Sequence, residues 1–425
     1  MMYCSGMALP RGASKRAQSC ARTGRLPWRG SLLPRMPAWQ ELQNAILDRQ
    51  PVAGLTHNFY KYPARFSPSF VRQVILNFSQ PGDVVLDPFM GAGTSLVEAR
   101  VLGRKAIGTD LNSLAVFLAE IKTRALSGTQ LRRVAAWGRR LAPKLNLHKP
   151  LSRRQQYWSD LGYHRNINGP ETWRIRKLLE LSLIRLSELP TEAERNFARC
   201  VLLRTGQWAL DCREDIPAVE DIRQQLNLFL EEMIIGARQF AAAAKRNGSP
   251  DAVCLCRSAI GMEQEEFIQQ AGAPALVITS PPYPGVHVLY HRWQVMGRRE
   301  TPAPFWIAGT LDGAGASFYT FGDRKQKDLH KYYDQAARAF SSLARIATAR
   351  TMVVQMVAFN NSSWQLPAYL RMMESCGFAE MKFSELANWR DGRVWRSVPN
   401  RKWYADKQGA TGGSEEVVLF HRLST

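Results

Sequence analysis

The chain has 425 residues, 45% of them hydrophobic, so it can bury a full core and is not disordered throughout. Its formal net charge of +21 favours a polyanionic partner, because lysines and arginines that displace counterions from phosphates gain affinity without reading base sequence. No run of about 18 apolar residues and no lipidation signal is present, and seven scattered cysteines do not make a disulfide framework. We therefore expect a cytoplasmic protein that binds nucleic acid rather than a membrane.

The first 35 residues are basic and contain no acid. Seven Lys or Arg stand there with several Gly and Pro, a composition that does not support a packed core. We expect residues 1–35 to form a disordered basic arm. The segment lacks the apolar stretch of a secretory signal, and its arginines are typical of a transit peptide, although no amphipathic helix is evident. Translation from Met36 rather than Met1 explains the segment equally well.

From residue 83 onward, short apolar runs alternate with helical periodicity. The pattern predicts strands at 84–86 and 106–109 and helices at 94–102 and 113–122. This alternation is typical of a doubly wound α/β sheet.

The alternation stops between residues 124 and 250, where the pattern predicts helices at 171–187, 191–210 and 218–245. It then resumes with predicted strands at 252–255, 275–278, 351–357, 380–386 and 416–421 and helices at 329–347 and 366–376. Cys254 and Cys256 stand two apart in an apolar, strand-like stretch and have no second pair at zinc spacing, so we interpret them as strand residues. We predict an α/β fold with a Rossmann-like seven-stranded sheet, its first part at 36–123 and its second at 251–425, with a helical insertion at 124–250.

A glycine turn follows the first predicted strand, in the sequence DPFMGAGT at 87–94. Gly91 and Gly93 permit positive φ angles and a close approach of the backbone, and we expect Thr94 to cap the next helix. Asp110 follows the second strand, where its carboxylate can accept hydrogen bonds from ribose hydroxyls. Leu96 stands where the third glycine of a dinucleotide fingerprint would be, which argues against NAD. The pattern favours another nucleotide-like cofactor over a simple tight turn.

The predicted strand at 275–278 runs into the sequence TSPPY at 279–283. Two prolines stiffen the backbone there and leave carbonyl groups free of ladder bonding. The same sequence is also compatible with a turn that has only a structural role. The functional interpretation depends on this tip and the glycine turn occurring on one chain.

With DPFMGAGT followed by TSPPY, the chain resembles the S-adenosylmethionine-dependent methyltransferases that modify exocyclic amines of DNA bases, the cytosine-N4 and adenine-N6 family. The segment HNFYKYPARFSPSFVRQVI at 57–75 is similar to the additional cofactor-binding segment that precedes the glycine turn in one arrangement of this family. The resemblance covers residues 57–123 and 251–300 well and the helical insertion hardly at all. It implies S-adenosylmethionine as cofactor, double-stranded DNA as substrate, and a cognate restriction endonuclease as a candidate partner.

The resemblance also implies roles for individual residues. An exocyclic amine is a poor nucleophile until acceptors hold its protons, and Ser280 Oγ and the Pro281 carbonyl are the expected acceptors. Pro282 stiffens the tip, and Tyr283 is expected to stack on a base extruded from the duplex. This chemistry requires no metal. The cofactor is expected to contact Tyr62, Phe66, Asp87, Pro88, Phe89, Gly91, Gly93, Thr94, Asp110 and Ser258.

Two positions differ from the usual family pattern. Relatives carry an acid after the third strand that reaches the cofactor adenine, whereas Ser258 is the nearest polar acceptor in this chain. Ser280 stands where most adenine enzymes have Asp, which favours cytosine-N4 over adenine-N6. Upstream, cofactor contact and plain core or surface packing are equal alternatives for His57, Tyr60, Lys61 and Arg65.

Two segments combine basic and aromatic residues, as nucleic-acid surfaces do. Between residues 132 and 177 there are twelve Lys or Arg, with Trp137, Tyr157, Trp158, Tyr163 and Trp173 among them. The alternative is that these aromatic residues form the insertion's own core. Residues 388–409 combine basic and aromatic residues in the same way. His287, Tyr290, His291 and Arg292 follow the tip, and lining of the target pocket and ordinary helix packing are equal alternatives for them. The predicted DNA contacts are Arg132, Arg133, Arg139, Arg140, Arg153, Arg154, Arg393, Arg396, Arg401 and Lys402.

The sequence thus predicts a DNA amino-methyltransferase. An RNA base methyltransferase is the first alternative, although such enzymes usually carry Asp or Asn before the two prolines. A catalytically silent nucleic-acid binder that keeps the fold is the second.

Overall fold

The computed structural model describes residues 38–62, 65–145, 147, 153–285, 292–297, 299–313, 319–322, 329–386, 390–397 and 415–424. The predicted basic arm lies outside these residues, as do Arg401, Lys402, His287, Tyr290 and His291. Within the same ranges, no helix is both long enough and apolar enough to cross a membrane.

A single large sheet organises the fold. Its strands are β1 (Val84–Asp87), β2 (Lys105–Asp110), β3 (Val253–Cys256), β4 (Leu276–Thr279), β7 (Met352–Ala358), β8 (Phe378–Met381), β9 (Val394–Ser397) and β10 (Glu415–Leu423). A separate antiparallel pair is formed by β5 (Trp293–Val295) and β6 (Arg299–Thr301).

The strand order is β3-β2-β1-β4-β7-β10-β8, with β9 also paired to β10. The first five strands of this order run parallel, and β10 is antiparallel to β7, β8 and β9. The chain order reverses direction between β1 and β4, which creates a crevice at the carboxyl ends of these strands. The predicted Rossmann-like class is confirmed, with eight described strands in the sheet instead of the predicted seven, and Cys254 and Cys256 lie in β3 as predicted.

Helices cover both faces of the sheet because successive side chains of a buried strand point to opposite sides. Val85 packs on one face with the helices α1 (Trp39–Leu47), α2 (Pro68–Phe78), α3 (Thr94–Val101) and α4 (Ser113–Thr123). Val84 and Leu86 pack on the other face with α12 (His330–Ile346) and α13 (Ser362–Ser375). A short helix, α10 (Glu266–Ala271), lies between β3 and β4.

The segment between β2 and β3 is helical, as predicted. Its helices are α5 (Gly128–Lys144), α6 (Arg153–Asp160), α7 (Trp173–Ile184), α8 (Glu192–Leu210) and α9 (Val219–Arg246), and α11 (Ala303–Ala308) packs on α8. These helices share one hydrophobic cluster with Tyr60 and with Leu114 and Leu118 of α4. The insertion is therefore packed against the sheet's helical layer through a common core.

Three sequence expectations differ from the structure. The predicted strand at 380–386 is shorter and lies earlier, at Phe378–Met381. The strand β9 and the pair β5 and β6 were not expected, because their short segments show little apolar alternation and acquire their partners only in the folded sheet.

Candidate cofactor and acceptor site

The carboxyl ends of β1, β2 and β4 open into one cleft. Parallel strands bring their carboxyl ends to the same edge of the sheet, so residues far apart in sequence meet there. The cleft is lined by Tyr62, Arg65, Phe66, Asp87, Pro88, Phe89, Met90, Gly91, Ala92, Thr94, Asp110, Leu111, Asn112, Arg257, Ser258, Ala259, Ser280, Pro282, Tyr319, Thr320 and Phe321. All the predicted cofactor residues except Gly93 are in this set, and so are Ser280 and Pro282 of the tip.

The glycine turn has the backbone conformation that its sequence predicts. Gly91 has a φ of 48° and Gly93 a φ of 74°, both in the left-handed region that glycine adopts without strain. A Cβ atom on Gly93 would lie 2.8 Å from Cβ of Ala119, so this glycine also lets α3 approach α4. The expected capping role of Thr94 is wrong, because Gly93 is the N-cap of α3 and no side chain caps that end.

Asp87, the last residue of β1, connects the glycine turn with the end of β4 through hydrogen bonds. Its carboxylate accepts hydrogen bonds from Thr279 Oγ1 at 2.8 Å, from the Phe89 backbone N–H at 3.1 Å and from the Ser95 hydroxyl. The residue is almost fully buried, and this burial raises the pKa of Asp87 to about 6. Asp87 therefore links the ends of β1 and β4 directly beneath the cleft.

Asp110 lies on the cleft wall at the end of β2. One of its oxygens accepts the Gly91 backbone N–H at 2.9 Å, and the other accepts the Asn112 backbone N–H at 2.8 Å. Burial raises the pKa of Asp110 to about 6 despite these bonds. Asn112 in turn donates from Nδ2 to the Tyr62 hydroxyl at 3.2 Å. The acid therefore joins the glycine turn and the upstream segment while its remaining lone pairs can accept further donors.

The upstream segment divides into core residues and cleft residues. His57 is buried, with its Nε2 2.7 Å from Oε1 of Glu98, and Tyr60 is buried with its hydroxyl accepting from Trp293 Nε1 at 2.8 Å. These two residues support the fold. Lys61 is exposed, and its backbone is bonded to Gln207.

Arg65 lines the cleft and donates to the carbonyls of His57 and Tyr60 at 3.1 and 3.2 Å. Burial lowers the pKa of Arg65 to about 10. Of the four residues His57, Tyr60, Lys61 and Arg65, it is therefore Arg65 that a ligand in the cleft would meet.

The tip after β4 presents Ser280 to the cleft, half-buried. Tyr332 donates to the Pro282 carbonyl at 2.7 Å, whereas no described residue donates to the Pro281 carbonyl. Ser280 Oγ lies 3.2 Å from the Tyr283 hydroxyl, which lies 3.1 Å from Oε1 of Glu416 on β10.

Tyr283 does not line the cleft. Its side chain is 9% exposed and belongs to the hydrophobic cluster that contains Phe321 and Tyr332. The stacking role expected for Tyr283 therefore does not fit its position, because stacking requires an open ring face.

Several cleft residues were not predicted. Arg257 precedes Ser258 and pairs with Glu265 at 2.6 Å, and Ser258 Oγ accepts the Ile260 backbone N–H at 3.1 Å. Tyr319 and Phe321 close another side of the cleft, and Phe321 packs edge-on against Phe89. The aromatic character of Tyr319 and Phe321 is the one feature of the sequence that could have indicated a binding role. Their distance in sequence from both motifs gave no reason to place them in the cleft.

The predicted DNA contacts in α5 lie on one exposed face. Arg132, Arg133, Arg139 and Arg140 are exposed, while the opposite face of the helix is buried. Arg133 pairs with Glu194 at 2.5 Å and Arg132 donates to Thr129 Oγ1 at 2.9 Å. The side chains of Arg153 and Arg154 lie outside the described residues.

The aromatic residues near these arginines are mostly structural. Trp137 is buried and donates to the Arg185 carbonyl at 3.0 Å, and Tyr163 is buried with its hydroxyl accepting from the Asp312 backbone N–H at 2.8 Å. Trp158 packs edge-on against Tyr163. Tyr157 is largely exposed and is the one of these four rings that can meet a base face.

Two of the predicted DNA contacts near the C-terminus, Arg393 and Arg396, lie among the described residues, and both are paired within the fold. Arg393 pairs with both oxygens of Glu380 at 2.6 and 2.7 Å. Arg396 is 6% exposed and pairs with Glu416. The prediction that Arg396 contacts DNA is therefore wrong, since its guanidinium is buried between strands, and the guanidinium of Arg393 is already paired with both Glu380 and Asp391.

The sheet order, the glycine turn and the acid after β2 together define the fold class of the chain as a Rossmann-like α/β domain. The family model described as DNA methylase, of the N6/N4 methyltransferase type, matches residues 28–120. Over these residues the chain is similar to this N6/N4 family. The match begins inside the segment predicted to be a disordered arm.

The relatives include three methyltransferases that each match part of the chain. The chain is 31% identical over 78 residues to the type II methyltransferase M.MjaII of Methanocaldococcus jannaschii, which is 18% of this chain and 15% of the relative. It is 37% identical over 82 residues to the type II methyltransferase M.MvaI of Kocuria varians, 19% of this chain and 18% of the relative. It is 35% identical over 74 residues to the DNA adenine methyltransferase YhdJ of Escherichia coli, 17% of this chain and 25% of the relative.

The alignments thus span between 15% and 25% of the length of these relatives. Among solved structures, the rRNA methyltransferase aviRa of Streptomyces viridochromogenes is 11% identical, with 85% of this chain and 88% of that chain covered and a TM-score of 0.32. A likeness of this size supports no conclusion about fold or substrate.

S-adenosylmethionine is the cofactor that this family implies, and the cleft fits it. The glycine turn leaves room for a ligand at the end of β1, Asp110 offers acceptors for ribose hydroxyls, and Phe89 and Phe321 offer apolar surface for a purine. When bound, S-adenosylmethionine supplies an activated methyl group on a sulfonium.

Proposed function

We propose that this chain transfers a methyl group from S-adenosylmethionine to an exocyclic amine of a DNA base, with cytosine-N4 favoured over adenine-N6. The observation that carries the proposal is that Ser280 and Asp110 line the same cleft although they are 170 residues apart in sequence. The cofactor side and the acceptor side of the expected reaction thus share one space.

Different residues of the cleft have different roles in the proposed reaction. Asp110 and the turn at Gly91 hold the ribose side of the cofactor. Ser280 Oγ and the Pro281 carbonyl accept the two amino protons of the target base, which directs the nitrogen lone pair away from the ring and towards the methyl group. Pro281 and Pro282 keep these acceptors fixed, so the orientation is in place before the base arrives.

DNA as the substrate is supported by two further observations. The relatives from Methanocaldococcus jannaschii and Kocuria varians are named type II methyltransferases, and YhdJ is named a DNA adenine methyltransferase. The exposed arginines of α5 give the insertion a cationic surface that suits a phosphate backbone. By the same comparison, a restriction endonuclease that reads the same site is a candidate partner.

The preference for cytosine-N4 rests on Ser280, which resembles the tip of the cytosine enzymes more than the Asp of most adenine enzymes. A hydroxyl can accept an amino proton as a carboxylate does, and it places no negative charge beside the base. Because YhdJ is named a DNA adenine methyltransferase, the test must distinguish methylation of cytosine-N4 from methylation of adenine-N6.

The test uses the full chain with labelled S-adenosylmethionine and three acceptors: duplex DNA, transfer RNA and ribosomal RNA. We expect label in duplex DNA, and nucleoside analysis of the product should show N4-methylcytosine. N6-methyladenine alone would reject the base assignment and keep the DNA assignment. Label only in RNA would reject both.

A further inference from the structure

A buried hydrogen-bonded chain leads from the cleft to the last strand of the sheet. It runs from Ser280 Oγ to the Tyr283 hydroxyl at 3.2 Å, and from there to Oε1 of Glu416 at 3.1 Å. The other oxygen of Glu416 accepts Nε and Nη2 of Arg396 at 2.9 and 2.8 Å. The chain therefore starts at the proposed acceptor and ends at an ion pair.

The ion pair is built into the sheet. Arg396 on β9 lies directly opposite Glu416 on β10 in the strand register, and both side chains are about 95% buried. Arg396 also donates from Nη1 to the Ile46 carbonyl at 3.1 Å. An arginine can only donate hydrogen bonds, so Glu416 is the acceptor in this pair.

The ion pair fixes the direction of every bond in the chain. A carboxylate can only accept, so the hydroxyl hydrogen of Tyr283 must point to Glu416. The Tyr283 oxygen is then the acceptor for Ser280, and the single hydroxyl hydrogen of Ser280 is committed to Tyr283. For any third group, such as a base in the cleft, Ser280 Oγ is left with lone pairs alone.

We propose that Glu416 and Tyr283 are positioning residues that make Ser280 an obligate hydrogen-bond acceptor for the amino group of the target base. This inference rests on the proposed function. An unrestrained serine hydroxyl can rotate and donate to a ring nitrogen or to water, which would not activate an amine. An aspartate at the same position would accept without any such help, and the buried chain gives serine the same property.

The inference assigns to Tyr283 a role that depends on its hydroxyl, whereas a stacking role would depend on its ring. Tyr283→Phe keeps the ring and leaves the pair of Arg396 and Glu416 intact, so it tests the chain without exposing a buried charge. We expect Tyr283→Phe to lower the rate constant for DNA methylation about tenfold, the effect of losing one hydrogen bond. The dissociation constant of S-adenosylmethionine should stay unchanged. Tyr333→Phe, which removes a hydroxyl bonded to the Gln365 carbonyl at 3.1 Å, is the matched control and should not change the rate.

A double-mutant cycle distinguishes action through Ser280 from a general structural effect. If Tyr283 acts through Ser280, Tyr283→Phe should have no further effect in a Ser280→Ala background. An equal loss in both backgrounds would overturn the inference. Full activity of Tyr283→Phe in the Ser280 background would also overturn it.

A second measurement does not depend on methylation. The infrared difference spectrum between wild-type protein and Glu416→Gln should show the loss of an ionised carboxylate band. Loss of a protonated carboxyl band would overturn the inference, because a protonated Glu416 could donate to Tyr283 and reverse the chain. If the wild-type chain methylates no DNA, the proposed function fails, and the infrared result still decides whether the chain has the direction described.

Discussion

The carboxylate of Asp110 accepts the backbone N–H of Gly91 at 2.9 Å, which ties the end of β2 to the glycine turn after β1. The two residues are 19 positions apart: Gly91 lies in the turn after β1, Asp110 ends β2, and these two strands are parallel neighbours. Because the same carboxylate lines the cleft, the shape of the turn and the acceptor for the cofactor ribose depend on one side chain. A change at Asp110 should therefore affect cofactor binding before any other property.

We expect cofactor affinity to fall as the pH decreases through about 6, where Asp110 takes up a proton. A carboxyl group with a raised pKa is neutral below that value, and a neutral acid is a weaker acceptor for ribose hydroxyls than a carboxylate. Asp110→Asn should weaken binding about tenfold at pH near 7 and reduce the pH dependence. Calorimetric titration with S-adenosylmethionine between pH 5 and 8 measures both effects.

Asp334→Asn, at an exposed position on α12, is the control for this experiment and should bind the cofactor as the wild type does. An Asp110→Asn variant with wild-type affinity at every pH would remove Asp110 from the cofactor site.

Ser280→Ala should separate catalysis from cofactor binding. The hydroxyl faces the proposed acceptor side of the cleft, so its removal should lower the methylation rate constant about 100-fold, as loss of one preorganised group in other active sites does. The dissociation constant of S-adenosylmethionine should be unchanged, because the cofactor contacts lie at β1 and β2. Equal losses in rate and in cofactor affinity would show that Ser280 belongs to the cofactor side instead.

The two glycines of the turn should differ in their tolerance of alanine. Both have positive φ angles, so each alanine should cost about 1 kcal/mol in unfolding free energy from backbone strain. A Cβ on Gly93 would also lie 2.8 Å from the Ala119 side chain, whereas a Cβ on Gly91 would meet only Tyr62 at 3.4 Å. Gly93→Ala should therefore cost about 1–3 kcal/mol more than Gly91→Ala. Urea unfolding of both variants measures the difference, and equal stabilities would contradict the close packing of α3 on α4.

The exposed face of α5 should contribute to DNA affinity through charge. Replacing both Arg139 and Arg140 by Gln should weaken binding to duplexes of any sequence and reduce the slope of log K against log salt by about 1.8, the value for two phosphate contacts. The matched control is the replacement of Lys245 and Arg246, which are exposed at the end of α9, by Gln. Equal slopes for the two double variants would show that the α5 face is no more than part of a generally cationic surface.

The order of the secondary-structure elements could be predicted because the buried strands are apolar over their whole length. Val84 to Leu86 and Leu276 to Ile278 are continuous apolar runs between turn residues, and a parallel strand covered on both faces has this pattern. The short strand at Val394–Ser397 could not be predicted, since its pairing with β10 depends on a partner supplied by the distant chain end.

Among the cleft residues, too, some could be predicted from the sequence and others could not. Gly91, Asp110 and Ser280 could be named from sequence because their chemistry follows directly after a predicted strand. Tyr319 and Phe321 could not, because a segment that reaches the site from a distant loop has no local signal. Arg396 was wrongly predicted to be exposed for a related reason. A basic residue in a polar segment has the pattern of a surface residue, and its buried partner, Glu416, comes from a separate strand.

By itself, the sequence of this protein determined the α/β class, the glycine turn and the residue types at the strand ends, because these follow from local periodicity and backbone chemistry. Only the tertiary structure decided which of those residues share a cleft, and it turned Tyr283 away from that cleft and towards Glu416. The physical reason is that burial and hydrogen-bond direction are set by neighbours from other strands. The hydrogen bond between Tyr283 and Glu416 on β10 is an example, because no local feature of the sequence around Tyr283 predicts that partner.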